Sequence, residues 1–187
     1  MARGKSITKE LVLSKAVEIA RTESIEAVAY NRLARELDIR PQSMYRYYAN
    51  LKELQIALLS YFISELVQTL THAVQDQTPR EALRSFGITL YDECHREPCY
   101  YQAFTRMHTY GIVSEMVPAL HPMIAIVQGQ MAQLFEEPAD IERYTQCYMA
   151  LMLGYAQMAI NEFMPQSLKD NRRTYMKSLE DFIEKML

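Results

Sequence analysis

Apolar residues recur every three to four positions along most of this chain, and this spacing predicts amphipathic α-helices rather than strands. Thr8 suits the cap of the first helix, which carries Leu11, Val12, Ala16 and Ile19 on one face. The segments with the helical pattern are 9–21, 30–37, 41–48, 51–74, 79–96, 100–107, 138–163 and 171–187. We therefore predict an all-α fold of about nine helices, in which a three-helix head is joined by a long fourth helix to a C-terminal helical bundle.

Two capping boxes set the clearest helix starts. Asn50 and Glu53 have the capping spacing at the start of the fourth helix, and Thr78 and Glu81 repeat it before the fifth, with Pro79 just inside. Five Gly and seven Pro in 187 residues leave few turns, which agrees with long helices.

Prolines mark the other boundaries. Pro118 and Pro122 are expected to interrupt the helical stretch 110–135, because proline removes a backbone donor from the helix. Pro138 is expected to start the next long helix and Pro165 to end it.

Charge is distributed unevenly although the chain as a whole carries −3. Residues 1–60 hold ten Lys and Arg against seven Asp and Glu, whereas residues 61–187 hold ten against sixteen. A basic head on an acidic body is typical of a nucleic-acid-binding domain attached to a second domain, although clustering by chance is the alternative. We predict a DNA-binding domain over 1–52 and an effector-binding and dimerisation domain over 53–187.

The sequence also indicates the cellular compartment in which the protein is expected. It has no run of about 18 apolar residues and no apolar signal segment, which predicts a protein that does not enter a membrane. Cys94, Cys99 and Cys147 include no CxxC pair and are expected to be reduced, packed thiols. We predict a cytoplasmic protein.

A short helix, a three-residue turn and a second short helix follow one another from Asn31 to Tyr48. This is the spacing of a helix-turn-helix, whose second helix lies in the major groove of DNA. Ile39 is expected to fill the angle between the helices. Asp38 occupies the turn position that favours a left-handed backbone, which Asp tolerates better than most residues.

The exposed face of the second short helix carries side chains that can read DNA. Gln42 can pair with adenine and Arg46 with guanine, while tyrosine hydroxyls and lysine can hold phosphates. The candidate contacts are Arg40, Gln42, Ser43, Tyr45, Arg46, Tyr47 and Lys52. A solvated face and tyrosines packed in the core are the alternatives, and for Tyr48 we expect the core.

Residues 27–54 resemble the DNA-binding signature of the TetR family, with Leu33-Ala34, Ile39, Met44-Tyr45, Tyr48 and Leu54 in register. The resemblance implies a homodimeric repressor whose helical body binds a small effector and releases DNA. By motif position it implies DNA contacts at Asn31, Gln42, Ser43, Tyr45 and Tyr47. The run Arg40–Tyr45 and Asn50-Leu51 also resemble a subgroup with a WHG-type C-terminal domain, and this likeness extends loosely to residues 81–107 and 149–163.

Three residues depart from the family pattern. Ala29 replaces the usual Ser or Thr cap, Asp38 replaces Gly, and Leu51 replaces a frequent phosphate-binding Lys. Lys52 is the candidate substitute, displaced by about 100° around the helix.

Mixed aromatic, methionine and hydroxyl side chains in the body suit a cavity for a largely apolar effector, although an ordinary core explains them too. The candidate pocket residues are Tyr101, Phe104, Met107, His108, Met123, Met152 and Tyr155. The last two helices are expected to pair with their copies as a four-helix interface.

Catalytic and metal chemistry have little support. Asp92 and His95 form one carboxylate-x-x-His pair, and a di-metal bundle needs two. No phosphate-binding Gly loop is present. We predict a regulator without enzymatic activity, metal or cofactor. The alternatives are a helical ligand-binding protein or enzyme with a vestigial helix-turn-helix, and an assembly factor that uses the head for protein contacts.

Overall fold

A computed structural model describes residues 7–160 and 171–185. In these ranges the chain forms eight α-helices and two 3₁₀ helices, and no strand occurs there. The α-helices are α1 (Lys9–Thr22), α2 (Tyr30–Glu36), α3 (Leu51–Ala73), α4 (Pro79–Arg96), α5 (Pro98–Thr109), α6 (Val113–Met131), α7 (Pro138–Ile160) and α8 (Asn171–Lys185). The 3₁₀ helices are Ile25–Ala27 and Pro41–Arg46. The predicted all-α fold is confirmed.

The predicted caps form where the sequence indicated. The Thr8 hydroxyl accepts a hydrogen bond from the Leu11 amide at 3.2 Å. Asn50 Oδ1 accepts from the Glu53 amide at 2.9 Å, and the Glu53 carboxylate accepts from the Ala49 amide at 2.8 Å. Each bond satisfies a donor that a helix start would otherwise leave unpaired.

The prediction that Pro118 and Pro122 interrupt the helix is wrong, because α6 runs through both of them. Each proline removes one hydrogen bond, which frees the carbonyls of Ser114 and Pro118 four residues earlier. Both prolines are exposed and lie four residues apart on one face of the helix. Water can therefore reach the freed carbonyls on that face, and the inner face of α6 keeps its packing. The predicted helix end at Pro165 lies outside the described residues.

The described contacts group the chain into two compact units. Unit 1 comprises residues 1–63 and 98–117, and unit 2 comprises residues 64–97 and 118–187. These units divide the chain differently from the functional boundary at 52/53, which stays a prediction.

Unit 1 packs α1, α2 and the start of α3 around a buried stripe. Leu54, Leu58 and Phe62 of α3 are at most 1% exposed. The Phe62 ring meets the ring of Tyr100 edge-on at 6.4 Å, and the Cys99 thiol donates to the Ala20 carbonyl at 3.4 Å. The start of α5 is therefore part of the same core as α1.

Unit 2 is built on the contact of α4 with α7 and α8. The Tyr175 hydroxyl donates to the Gly87 carbonyl at 2.6 Å, and the Tyr148 hydroxyl donates to the Leu83 carbonyl. Burial raises the pKa of both phenols, so they stay neutral donors. At the edge of this core Arg84 forms an ion pair with Glu180, with 2.6 Å between Nε and Oε2.

Helix α3 is long and apolar enough to cross a membrane by length and composition alone. Seven apolar side chains of α3 are buried, namely Leu54, Leu58, Leu59, Phe62, Ile63, Leu66 and Leu70, whereas Tyr61 is 37% exposed. This burial accounts for the apolar character of the helix without a membrane.

The cysteine prediction holds for two of three residues. Cys94 and Cys99 are buried, and burial raises the pKa of the Cys94 thiol to about 12. Cys147 is exposed on α7, so the expectation that it packs in the core is wrong. None of the three forms a disulfide in the described ranges.

We expect Gly87→Ala to destabilise the protein by about 1–3 kcal/mol, measured as the free energy of unfolding in urea. A Cβ at Gly87 would lie 2.8 Å from both Leu179 Cδ2 and Met152 Sδ, and 3.1 Å from the Tyr148 hydroxyl. These neighbours are buried and cannot all withdraw.

The matched control is Gly129→Ala in α6, where a Cβ would meet nothing within 4 Å. This substitution should stabilise the protein by about 0.5–1 kcal/mol, since Ala favours helix over Gly. Equal stability of the two variants would contradict the close packing at Gly87.

Candidate nucleic-acid interface

The turn after α2 is a Schellman motif centred on Asp38. Asp38 has a φ of +53°, which is the left-handed region. The Ile39 amide donates to the Ala34 carbonyl at 2.9 Å, and the Asp38 amide donates to the Arg35 carbonyl at 3.3 Å. These two bonds satisfy the last carbonyls of the helix and reverse the chain. The left-handed residue predicted at position 38 is confirmed.

The segment Pro41–Arg46, which we call the recognition segment, forms a 3₁₀ helix and not the α-helix expected over 41–48. Pro41 is its first residue, and the Ser43 amide donates to the Arg40 carbonyl at 2.8 Å. With three residues per turn, residues three apart lie one above the other. Gln42 therefore aligns with Tyr45, and Ser43 aligns with Arg46.

Two buried side chains hold the recognition segment against the rest of unit 1. Met44 is fully buried and Tyr48 is 1% exposed. The expectation that Tyr48 packs in the core is therefore confirmed. These two anchors hold one side of the recognition segment against the core. The opposite side therefore faces solvent.

Most predicted DNA contacts lie on that solvent-facing side. Tyr45 is 61% exposed, an unusual fraction for a large aromatic side chain. Ser43 and Tyr47 are half-buried. The remaining predicted contacts are all exposed: Asn31 on α2, Arg40 in the turn, Gln42 and Arg46 in the recognition segment, and Lys52 in the first turn of α3.

The cations of this surface differ in how their charge is compensated. Within the described ranges, neither Arg40 nor Arg46 forms an ion pair. Lys52 instead contacts Glu115 at the start of α6, with Nζ to Oε1 at 2.6 Å. The Ser114 hydroxyl donates to the other oxygen of that carboxylate at 2.7 Å. The hydrogen bond from Lys52 is the largest cause that lowers the pKa of Glu115 to about 2.

Sequence reasoning missed two residues of this surface. Glu115 lies far from Lys52 in sequence, so no local pattern indicates their contact. Tyr30, the first residue of α2, donates its hydroxyl to the Tyr48 carbonyl at 2.7 Å. The Tyr30 ring meets the Tyr45 ring edge-on at 5.2 Å. Burial is the main cause that raises the pKa of Tyr30 to about 12, so the phenol remains a donor. An aromatic residue beside the uncapped Ala29 is the signal that could have identified it.

The predicted effector-pocket residues fall in both units. In unit 1, α5 carries Tyr101 and Met107, which are buried, Phe104, which is half-buried, and His108, which is exposed. In unit 2, Met123 and Met152 are buried, and the half-buried Tyr155 shares a 2.7 Å hydrogen bond with Ser178. Their role in binding an effector stays a prediction.

Two surface grooves lie elsewhere, and none of those seven residues lines them. A groove of about 570 Å³ in unit 1 is lined by residues of α1 and by Tyr61 of α3. A groove of about 400 Å³ in unit 2 lies between α6 and α7, with Ile124, Pro138 and Ile141 along it and Thr145 at its edge.

The residues that suggested a metal site have other partners. Asp92 binds Arg172, with Oδ1 to Nε at 2.7 Å, and the His95 ring stacks on Tyr91 with centroids 4.0 Å apart. No cluster of three His, Cys, Asp or Glu side chains suited to a metal ion occurs in the part of the chain that the structure describes.

Among known proteins, the chain is similar in sequence to a helix-turn-helix regulator. No protein-family model matches the chain. An uncharacterized HTH-type transcriptional regulator, YobS of Bacillus subtilis, is 23% identical over 130 residues, which is 68% of each chain.

Solved structures give a likeness over nearly the whole chain. A protein of unknown function from Rhodococcus sp. RHA1 has a TM-score of 0.81 at 15% identity and covers 98% of this chain and 97% of its own. BioQ bound to its double-stranded DNA operator has a TM-score of 0.67 at 20% identity, covering 95% of this chain and 98% of BioQ. A TetR regulator from Streptomyces coelicolor has a TM-score of 0.68 at 16% identity, covering 93% and 94%.

These likenesses are all below 25% identity and establish the fold, which is that of the TetR regulators. The resemblance predicted from residues 27–54 is therefore confirmed as a shared fold. The comparisons do not distinguish the WHG-type subgroup.

We expect Asp38→Gly to raise the free energy of unfolding by up to about 1 kcal/mol and Asp38→Ala to lower it by a similar amount. Glycine accepts a φ of +53° without a steric penalty, whereas Ala has a Cβ and lacks the local hydrogen bonding of Asp. Urea denaturation of the three proteins measures the order. A higher stability for the Ala variant than for the Gly variant would contradict the left-handed turn.

Proposed function

We propose that this chain, which has the TetR fold, is a DNA-binding transcriptional regulator that acts as a homodimer and represses until a small effector releases it. One observation carries the proposal: a Schellman turn and two buried anchors leave Gln42, Tyr45 and Arg46 on one exposed side of the recognition segment. The Tyr45 ring contacts the Tyr30 ring edge-on and yet stays 61% exposed, so most of it faces solvent.

The chemistry of this side chain set fits duplex DNA. Arg46 can donate two hydrogen bonds to guanine, and Gln42 can exchange two with adenine in the major groove. Tyr45 and Tyr47 offer hydroxyls to phosphates, and Arg40 adds a positive charge at the entrance to the segment. Asn31 and Ser43 can donate hydrogen bonds to the phosphate backbone of the DNA. The free charge on Arg40 and Arg46 supports phosphate attraction despite the net negative charge of the whole chain.

The proposed homodimer fits the geometry of DNA operators. Two helix-turn-helix domains, one from each chain, bind half-sites that lie about one turn of DNA, ~34 Å, apart. Helix α7 carries a stripe at spacing four, in which Ala150 and Met158 are exposed, Met158 by 42%, and Gly154 between them is half-buried. A Cβ at Gly154 would meet nothing within 4 Å, so a partner helix could approach closely there. This stripe supports pairing through the last two helices.

The groove between α6 and α7 supports the binding of a small effector. The α6–α7 groove of about 400 Å³ falls in the size range of small-ligand sites. It is an alternative location to the predicted pocket of Tyr101, Phe104, Met107, His108, Met123, Met152 and Tyr155. An effector must bind the free and DNA-bound states unequally to release DNA. A regulator of this kind is expected to act in the cytoplasm, where it can reach chromosomal DNA.

The rival function is a helical ligand-binding protein or enzyme whose helix-turn-helix no longer binds DNA. The contact of Lys52 with Glu115 favours this rival, because it neutralises one of the cations expected to hold phosphate. An assembly factor that uses the head for protein contacts is the other alternative, and DNA binding separates both rivals from the proposed function.

We expect Gln42→Ala and Arg46→Ala each to weaken operator binding by about 10- to 100-fold, because each removes hydrogen bonds to a base edge worth about 1–3 kcal/mol. The probe is a duplex selected from a randomised library by the wild-type protein. Affinity is measured by fluorescence anisotropy over a range of salt concentrations, and sedimentation gives the number of chains per duplex, expected to be two.

The matched controls are Gln68→Ala and Arg80→Ala, which remove the same groups from exposed positions of unit 2. They should bind the duplex as the wild type does. Failure of the wild type to select or bind any duplex would refute the proposal and favour the rivals.

We expect Glu115→Gln to tighten operator binding about threefold and to steepen the slope of log affinity against log salt by about 0.9, the value for one more phosphate contact. The substitution frees Lys52, which Glu115 holds at 2.6 Å. Glu136→Gln removes the same charge from an exposed site of unit 2 and serves as the control. An equal change in both variants would mean that only net charge matters and that Lys52 does not reach phosphate.

A further inference from the structure

The recognition segment is intrinsically weak. It has six residues in a 3₁₀ helix, and its N-cap, Arg40, makes no side-chain capping bond. Short 3₁₀ helices have poor hydrogen-bond geometry and leave unpaired carbonyls at their C-terminal end. The orientation of this segment must therefore come from contacts with other parts of unit 1.

Met44 and Tyr48 supply the buried side of those contacts, but burial alone permits the segment to rotate about its axis or slide. A directional contact is needed to fix it. The hydroxyl of Tyr30 provides one, because it donates at 2.7 Å to the carbonyl of Tyr48, just beyond the end of the segment. A hydrogen bond of this length tolerates little change of angle or distance.

The same tyrosine also contacts the exposed side of the segment. The rings of Tyr30 and Tyr45 are 5.2 Å apart at 82°, the edge-to-face geometry that aromatic pairs prefer. Tyr45 is 61% exposed and would otherwise be free to change rotamer. One side chain therefore restrains both the backbone at the end of the segment and its most exposed aromatic ring.

Tyr30 is not itself among the side chains suited to contact DNA. It is half-buried, and its hydroxyl is already used by the Tyr48 carbonyl. Its desolvation and its neighbours Tyr45 and Glu53 keep it a neutral donor, since its pKa is about 12.

We propose that Tyr30 is a positioning residue for DNA recognition, which presets the recognition segment and the Tyr45 phenol before DNA arrives. The inference rests on the proposed function. Prior positioning increases affinity because the loss of side-chain and backbone freedom is not incurred on binding. The gain in affinity is larger for a specific duplex, which the segment must bind in one register, than for a duplex of arbitrary sequence.

Two variants separate the two contacts of Tyr30. Tyr30→Phe keeps the ring and removes the hydroxyl, and we expect operator affinity to fall about three- to tenfold. Tyr30→Leu removes both contacts, and we expect a fall of about 10- to 50-fold. Tyr110→Phe, which removes a phenolic hydroxyl from a half-buried site elsewhere in unit 1, should bind as the wild type does.

The decisive measurement is the ratio of affinities for the selected duplex and a scrambled duplex at the same salt concentration. A purely structural role for Tyr30 would lower the fraction of folded protein and reduce both affinities equally. A positioning role lowers the ratio. Circular dichroism and thermal unfolding of each variant show that the protein under test is folded, and Tyr30→Phe, the smaller change, keeps the test decisive if Tyr30→Leu does not fold.

A double-mutant cycle tests whether Tyr30 acts through Tyr45. In a Tyr45→Ala background, Tyr30→Leu should cost clearly less operator affinity than in the wild type, because the ring contact is already absent. Independent, additive losses would overturn the part of the proposal that concerns Tyr45. An unchanged affinity ratio in Tyr30→Phe and Tyr30→Leu, with wild-type binding intact, would overturn the positioning role and leave the proposed function standing. Absence of wild-type binding to any duplex would overturn both.

Discussion

The chain reversal at Asp38 is the constraint on which the candidate interface depends. A left-handed residue at this position lets the amides of Asp38 and Ile39 bond back to the last turn of α2, and the chain then leaves at the angle that places Pro41. If residue 38 adopted an ordinary helical conformation, α2 would continue and the recognition segment would lose its position. Met44 and Tyr48 are buried because the turn brings the recognition segment back against α2.

Exposure and charge around this turn follow from the same geometry. Residues that the turn directs inward are apolar and buried, and those it directs outward are Gln42, Tyr45 and Arg46. Carboxylates compensate the cations that flank the segment, Lys9 through Glu53 and Lys52 through Glu115. Because Arg40 and Arg46 form no ion pair in the described ranges, their charges are available at the recognition segment.

The second half of the chain shows how packing decides what a pattern leaves open. Apolar residues of α7 and α8 suit either a dimer interface or the interior of the chain, and the sequence does not separate them. In the structure Met152, Leu179 and Ile183 are buried within unit 2, whereas Met158 is exposed. Gly87 explains part of this difference, since the missing side chain lets Leu179 and Met152 approach α4 closely.

Features that depend on neighbouring residues can be predicted from the order of residues alone. The caps at Thr8, Asn50 and Thr78 and the left-handed turn at Asp38 involve groups within five residues of each other, so their chemistry can be recognised in order along the chain. The all-α fold and the register of the helix-turn-helix followed from these signals and from the helical spacing of apolar residues.

Features that depend on distant partners or on exposure become visible in the folded chain. The contacts of Tyr30 with Tyr48 and of Lys52 with Glu115 join residues 18 and 63 positions apart, beyond any local pattern. The continuity of α6 through Pro118 and Pro122 depended on their facing solvent, where water can bond the freed carbonyls. A local sequence pattern indicates what a side chain can bind, whereas packing determines which partner it contacts. Contact energies depend on distances between side chains, and these distances cannot be derived from the order of residues.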